Sequence, residues 1–157
     1  MLTGILDTSS PCQIGMITND IIKARKKWAE FLGVNEPALV GCGEYAVTKT
    51  EYMGKPAPDA ACRMVFFDLP NIQLELIEPN AAQSTWRDAL EKNGECMHHY
   101  GYQVKDMDAS IAAMKAAGYQ LTQYGLYGDA SGAYAYFDCT AEMGCFIELL
   151  CSFSHQG

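Results

Sequence analysis

Basic residues are scarce in this chain: 11 Lys and Arg stand against 19 Asp and Glu, a formal net charge of -8. Non-specific binding of nucleic acid needs clustered cations to hold phosphate groups, so the charge argues against that function. The sequence also lacks any apolar run near the roughly 20 residues that span a bilayer. Its first residues have neither the positive charge nor the apolar stretch of a signal peptide. We therefore expect a cytoplasmic protein with no nucleic-acid or membrane partner.

The chain has no CxxC pair among its seven cysteines, which leaves a zinc ribbon or a thioredoxin-like redox site without support. Their odd number, without a secretion signal, predicts that most are reduced. A hydrophobic fraction of 49% with 11% aromatics is enough to form a substantial core. We predict a single domain, residues 1–157, in which most cysteines are small core residues.

What the sequence does contain is an internal repeat, and the repeat predicts the fold class. Each half opens with a short strand and places Asp five residues after the strand glycine, as Gly15 and Asp20 and as Gly101 and Asp106. A run with helical periodicity follows and ends near a glycine, and two further apolar runs separated by turn residues predict a β-hairpin. Each half is therefore predicted to be strand, helix and three strands, an α+β fold of two tandem βαβββ modules.

The predicted modules cover about residues 10–80 and about 97–152. Between them, Thr85 and Asp88 resemble a capping box and predict a linker helix at about 84–93. Residues 49–59, with Pro56 and Pro58, are predicted to be an irregular insertion and the candidate for a loop over the site.

Four polar residues occupy equivalent places in the two halves. Gln13 and His99 each precede a strand glycine by two residues, whereas Glu75 and Glu148 interrupt apolar closing strands. An isolated carboxylate in such a strand would more often face solvent, but two modules packed around a shared cleft would bring all four together. An amide oxygen, an imidazole nitrogen and two carboxylates suit Zn, Ni, Co, Mn or Fe with two positions left open. We predict that these four residues hold one divalent metal ion.

At these residues the sequence resembles the vicinal oxygen chelate superfamily, which is also named glyoxalase/bleomycin resistance/dioxygenase. The resemblance runs from Cys12 to Leu150. It is carried by Gln13-Ile14-Gly15, Leu74-Glu75-Leu76, His98-His99-Tyr100-Gly101 and Ile147-Glu148-Leu149. It implies that the modules form an open, cupped β-sheet around the metal site.

The paired histidines and Ile77-Glu78-Pro79 are most like methylmalonyl-CoA epimerases, which typically have His in place of Gln13. The ligand set Gln, Glu, His, Glu is instead similar to that of some glyoxalase I enzymes.

The resemblance implies a metal-dependent isomerase or lyase that removes a proton next to a carbonyl while the cation stabilises the enolate. It gives the role of base to Glu148, with Glu75 as the second candidate. An acyl-CoA epimerase is preferred, and glyoxalase I (lactoylglutathione lyase) is the alternative, so the expected substrate is an acyl-CoA or a glutathione adduct. An extradiol dioxygenase is disfavoured because such sites use two histidines. The non-enzymatic alternative is a small-molecule binding or resistance module on the same fold.

An epimerase needs acid/base groups on both faces of its planar intermediate. The epimerase branch supplies a further Glu from the loop before the third strand, but residues 55–60 contain none. Asp59, Glu51 and Glu44 are the candidates to replace it.

Three expectations concern the surroundings of the site. His98 is predicted to face away from His99 as a packing or hydrogen-bonding residue. Tyr124 and Tyr127 are candidates to line the cleft. Exposed edge strands in such folds also predict a homodimer.

Overall fold

The computed structural model describes residues 4–153, in which ten strands form one curled sheet with helices on both faces. The strands are β1 Gln13–Ile17, β2 Val40–Gly41, β3 Glu51–Tyr52, β4 Lys55–Pro56, β5 Cys62–Asp68, β6 Gln73–Pro79, β7 Cys96–Gln103, β8 Gln120–Leu126, β9 Gly132–Asp138 and β10 Phe146–Ser152. The helices are α1 Ile21–Leu32, α2 Tyr45–Thr48, α3 Thr85–Asn93, α4 Met107–Ala116 and α5 Thr140–Met143. Within residues 4–153, none of the helices has the length and apolar character needed to cross a membrane.

The strand order is β2-β5-β6-β1-β7-β10-β9-β8-β3-β4. The two halves meet where β1 and β7 pair antiparallel. Within each half the last strand pairs with the first: β6 runs parallel to β1, and β10 runs parallel to β7. The series β1-α1-β2-β5-β6 thus corresponds to β7-α4-β8-β9-β10. The predicted α+β fold of two βαβββ repeats in a cupped sheet is confirmed.

Helices α1 and α4 begin at the repeated aspartates, which explains their matched spacing. The Asp20 side chain accepts a hydrogen bond from the backbone N–H of Lys23, and Asp106 accepts one from Ala109. Each carboxylate therefore caps N–H groups that the first helical turn leaves without an intrahelical partner. A polar residue at this spacing fixes where each helix leaves its strand.

The convex face of the sheet carries the apolar core. Helix α1 covers Val65, Phe67, Leu74 and Leu76 of β5 and β6. Helix α4 covers Ala133, Ala135, Phe137, Ile147, Leu149 and Cys151 of β9 and β10. Because side chains alternate along a strand, the residues between these face the concave side. The core thereby sets which side chains point into the cup.

Helix α3 packs on the concave face, where Trp86 and Ala89 contact Ile17, Ile77 and Tyr136. The predicted linker helix is present, but its N-cap is Ser84 and not Thr85, because the Ser84 hydroxyl accepts from the Arg87 N–H. Thr85 instead donates its hydroxyl to Thr122 at 2.9 Å. The helix therefore fills part of the concave side of the sheet.

Residues 49–59 form a short hairpin and not the irregular loop predicted from the two prolines. Strand β3 of this hairpin pairs with β8, at the sheet edge opposite β2. The chain must therefore cross from one edge of the cup to the other between residues 42 and 50. On the way, Gly43 lies so close to Gly128 that a Cβ at position 43 would be 2.5 Å from the Gly128 Cα. The two edges are thus held together by the first module's own insertion.

Candidate metal centre

Three predicted ligands meet on the concave face at the centre of the sheet. His99 Nε2 lies 2.9 Å from Glu148 Oε2 and 3.4 Å from Glu75 Oε2. One ligand atom of each residue lies within 4.8 Å of the others, and all three residues are buried. The pairing explains the convergence, because β1 and β7 form the middle of the sheet while β6 and β10 flank them. The two carboxylates consequently approach His99 from opposite sides.

Gln13 completes the group from β1. The inward atom of its amide lies 2.7 Å from Glu148 Oε2, 3.0 Å from His99 Nε2 and 3.3 Å from Glu75 Oε2. On the outer side, Gln13 Nε2 donates to Gln73 Oε1 at 2.7 Å, and Gln73 Nε2 donates to Asp68 Oδ1 at 2.8 Å. An ionised carboxylate only accepts, so Asp68 orients the Gln73 amide, which in turn directs the Gln13 oxygen inward.

An oxygen in that orientation faces two carboxylate oxygens and an imidazole nitrogen, all of which carry lone pairs. Such a cluster is repulsive unless a proton or a cation lies among the four atoms. An amide oxygen, a neutral imidazole and two carboxylates are ligands that divalent transition metals accept. The four residues therefore fit one divalent ion, and their role as its ligands stays a prediction.

The pKa values of His99 and Glu75 in the absence of an ion also indicate a site for positive charge. Burial alone would lower the pKa of His99, but the charges and hydrogen bonds of Glu148 and Glu75 outweigh it and raise that pKa to about 9. Burial raises the pKa of Glu75, and the charge of Glu148 adds to this effect. Positive charge, as a proton or a metal ion, is thus favoured at the centre of the cluster.

Two glycines make room for these side chains. A Cβ on Gly15 would lie 1.9 Å from His99 Cε1 and 2.4 Å from Nε2, inside the imidazole ring. A Cβ on Gly101 would lie 3.0 Å from the Gln13 Cβ. Each glycine thus accommodates the ligand of the neighbouring first strand, which gives the repeated spacing its physical cause.

The prediction that His98 faces away from His99 is wrong. In the pairing of β1 with β7, Gly15 is opposite His99 and Met16 is opposite Met97, so His98 is an extra residue in β7. This β-bulge breaks the alternation of side chains and leaves both imidazoles buried on the concave side. Their Nδ1 atoms are 2.9 Å apart. His98 does pack closely, stacked on Phe146 with ring centroids 4.7 Å apart.

A cavity of about 650 Å³ opens from the metal centre. Tyr127 lines it, as predicted, whereas Tyr124 borders a separate groove by β3 and β8. Residues 40–42 and 126–129 also line the cavity, whereas no residue of the hairpin 49–59 does. The lining also includes Trp86, Asp129, Tyr134 and Tyr136.

The candidates for an additional acid/base group lie elsewhere. Glu44, Glu51 and Asp59 are exposed, and none is among the residues that line the cavity. Their proposed role in an epimerase is therefore not supported by their positions. Asp129 and Tyr127 lie at the cavity instead, although no sequence motif distinguished Asp129.

Comparison with known proteins agrees with this geometry. The profile described as Glyoxalase/Bleomycin resistance protein/Dioxygenase superfamily matches residues 12–137. The chain belongs to that superfamily, so the resemblance predicted from its motifs is confirmed.

Among curated proteins, an ethylmalonyl-CoA/methylmalonyl-CoA epimerase of Cereibacter sphaeroides is 35% identical over 78 residues, 48% of this chain and 58% of that protein. The match thus spans less than two thirds of that relative. The crystal structure of a methylmalonyl-CoA epimerase from Mycobacterium tuberculosis has a TM-score of 0.63 at 19% identity, covering 96% of this chain and 93% of that one. A Streptomyces coelicolor methylmalonyl-CoA epimerase has a TM-score of 0.60 at 21% identity, covering 94% and 97%. Both structures share the fold of this chain.

Proposed function

We propose that this protein is a divalent-metal-dependent isomerase of the methylmalonyl-CoA epimerase type, with the ion held by Gln13, Glu75, His99 and Glu148. The observation that carries the proposal is the pair of buried carboxylates on opposite sides of His99, at the inner end of a cavity. The local identity to an ethylmalonyl-CoA/methylmalonyl-CoA epimerase supports the substrate class. The Streptomyces coelicolor relative was solved with 2-nitronate-propionyl-CoA, an acyl-CoA ligand.

The ion, when bound, would supply the positive charge that stabilises an enolate next to a thioester carbonyl. Glu148 then takes the proton from the α-carbon on one side of the substrate. Glu75, on the strand that flanks the other side of the β1–β7 pair, delivers a proton to the opposite face. A carboxylate that ligates the ion is ionised, so Glu75 would take up this proton only once the substrate has displaced it from the ion. The buried rings of Trp86 and Tyr136 line the cavity, and they would limit access of water to the reacting carbon.

Glyoxalase I is the second candidate, because the first ligand is Gln13 where the epimerase branch typically has His. The inward amide oxygen makes Gln13 a neutral oxygen ligand, as in the glyoxalase set that the sequence resembles. The same two glutamates would then move a proton between adjacent carbons of a glutathione hemithioacetal. A binding module without catalysis is the remaining alternative on this fold.

The two reactions are separated by their substrates. Protein loaded with Zn²⁺, Co²⁺ or Ni²⁺ is incubated in D₂O with methylmalonyl-CoA, and deuterium at the α-carbon is measured by mass spectrometry. A parallel reaction follows the methylglyoxal-glutathione hemithioacetal. We expect exchange with methylmalonyl-CoA that stops after chelation of the metal. Turnover of the hemithioacetal alone would favour glyoxalase I, and tight binding without turnover of either would favour the binding module.

The metal centre has its own test, which does not depend on the substrate. Protein purified without added metal is analysed for bound ions and then titrated with Zn²⁺. We expect one ion per chain and its loss in His99→Ala. A chain that takes up no ion would contradict the ligand assignment.

We further propose that the whole chain, residues 1–157, is one domain that acts in the cytoplasm as a homodimer. The continuous sheet that joins the two repeats through β1 and β7 supports a single folding unit. Sedimentation equilibrium on the full chain would give twice the monomer mass of 17.2 kDa if the dimer forms.

A further inference from the structure

His98 occupies a position that the proposed chemistry does not use. It is 2% exposed and lies between the ring of Phe146, on which it stacks, and the ring of Tyr136, which it meets edge to face at 5.4 Å between centroids. Its Nδ1 is 2.9 Å from the Nδ1 of His99. Its Nε2 makes no hydrogen bond of normal geometry among residues 4–153, although a backbone contact with Thr85 favours a proton on this ring. A buried imidazole with one satisfied nitrogen needs a reason to be retained.

The two facing nitrogens allow one hydrogen bond, and its direction determines which nitrogen of His99 is free. His99 Nε2 points at Glu75, Glu148 and the Gln13 amide. A ligand nitrogen must present its lone pair, so in the metal-loaded protein the proton of a neutral His99 lies on Nδ1. That N–H has only His98 Nδ1 within reach in the described residues.

We propose that His98 is a positioning residue for the metal centre: its Nδ1 accepts the Nδ1–H of His99 and so fixes the tautomer and rotation of that ligand. This inference rests on the proposed metal site. The proton of His98 is then on Nε2. The stacking on Phe146 holds the accepting ring in place, and the β-bulge provides the extra residue that lets both rings share the concave side.

The reverse arrangement is incompatible with the ligand role. If His98 donated to His99 Nδ1, the proton of His99 would lie on Nε2, between the two carboxylates and in the position of the ion. Removing the acceptor at residue 98 therefore leaves His99 free to adopt the tautomer that excludes the metal. Outer hydrogen-bond partners of ligand histidines typically change metal affinity by about 10- to 100-fold.

Three variants separate hydrogen bonding from packing. His98→Asn keeps an acceptor, because its Oδ1 is as many bonds from the backbone as the histidine Nδ1. His98→Leu keeps an apolar side chain but has no acceptor. Phe146→Leu removes the ring on which His98 stacks and leaves the contact between the two histidines. Circular dichroism and thermal unfolding establish that each variant is folded.

Zn²⁺ affinity is measured by competition with a chromogenic chelator, and the proton positions in His99 by two-bond ¹H–¹⁵N spectra of the zinc-loaded full chain. We expect His98→Leu to bind Zn²⁺ about 10- to 100-fold more weakly than wild type, and His98→Asn to remain within about threefold of it. Phe146→Leu should lower the melting temperature with little change in affinity. In the wild type, His99 should carry its proton on Nδ1.

The role of His98 is overturned if folded His98→Leu binds Zn²⁺ as tightly as wild type, or if His98→Asn is as weak as His98→Leu. A wild-type His99 with its proton on Nε2 would overturn it as well. Tight zinc binding that depends on His98, without turnover of either substrate, would overturn only the proposed reaction. A wild-type chain that binds no Zn²⁺ would overturn both.

Discussion

The two halves of the chain place equivalent positions around one centre but fill them with different chemistry. Gln13 on β1 corresponds to His99 on β7, and the two differ in charge, size and ability to titrate. Glu75 on β6 and Glu148 on β10 are instead identical in type and lie on opposite flanks of the centre. The repeat therefore determines where the proposed ligands are, while the individual residues determine what chemistry the centre can carry out.

The hydrogen-bond partners that orient Gln13 and His99 differ even more than these two residues do. Gln13 is oriented by Gln73 and through it by Asp68, which is exposed at the end of β5. His99 is held by the buried His98, which packs between aromatic rings. One ligand is thus oriented by a hydrogen-bond chain that reaches solvent and the other by the closed core of the cup. We expect the first support to be the more easily compensated of the two.

The largest expected effect tests whether the two carboxylates are equivalent. Glu148→Gln and Glu75→Gln should each lower α-proton exchange by about 10²- to 10⁴-fold, because each loses one acid/base group. Deuterium incorporation under saturating metal measures this loss. The exposed Glu51→Gln is the matched control and should remain within about twofold of wild type. Near-normal exchange in Glu75→Gln would assign the proton chemistry to the second half alone.

The paired glycines should respond unequally. Gly15→Ala places a methyl group in the ring of His99, so the ligand must move, and we expect Zn²⁺ affinity to fall by about 100-fold, the upper end of effects on ligand orientation. Gly101→Ala meets the Gln13 side chain at 3.0 Å, and a few tenths of an ångström of movement relieves it. Its affinity should fall by less than about tenfold. Equal losses in the two variants would contradict this order.

Gln73→Leu removes the group that orients Gln13 and leaves its amide free to turn its nitrogen inward. We expect about a tenfold loss of Zn²⁺ affinity, at the lower end of effects for outer partners of ligands. Gln120→Leu makes the same change at an exposed position on β8 and serves as the control. Isothermal titration with zinc gives both values. An unchanged affinity in Gln73→Leu would mean that Gln13 needs no outer partner.

The smallest effects should be the same in both halves. Asp20→Ala and Asp106→Ala each remove an N-cap, and we expect each to lower the free energy of unfolding by about 1 kcal/mol. Urea denaturation measures the loss, and zinc affinity should be unchanged because both helices lie on the convex face. A stability loss in only one variant would show that the two caps are not equivalent.

The repeat made most of the fold predictable, together with the convergence of four polar side chains, because equivalent spacing in two halves carries more information than either half. Comparing the two halves of the sequence could also have identified Tyr134 and Tyr136, which were not predicted to line the cavity. Tyr136 pairs with Glu148 as Phe66 pairs with Glu75. Aligning the two closing hairpins would therefore have placed these tyrosines on the concave side.

The remaining errors concern features that depend on contacts distant in sequence. The bulge at His98 is set by the register of β7 against β1, and no glycine marks it in β7 at that point. The pairing of the first half's hairpin with β8 joins residues about 70 positions apart, such as Glu51 and Tyr124. The positions of Glu44, Glu51 and Asp59 outside the cavity follow from that pairing.

The crossing of the chain from β2 to β3 also bears on self-association. It leaves the sheet with β2 and β4 as its outer strands, each two residues long, and β4 consists of Lys55 and Pro56. Short edge strands resist strand addition, and the lysine and proline of β4 strengthen this protection against edge-to-edge aggregation. The two terminal strands are therefore poor candidates for the interface of a homodimer, although exposed edge strands first suggested one.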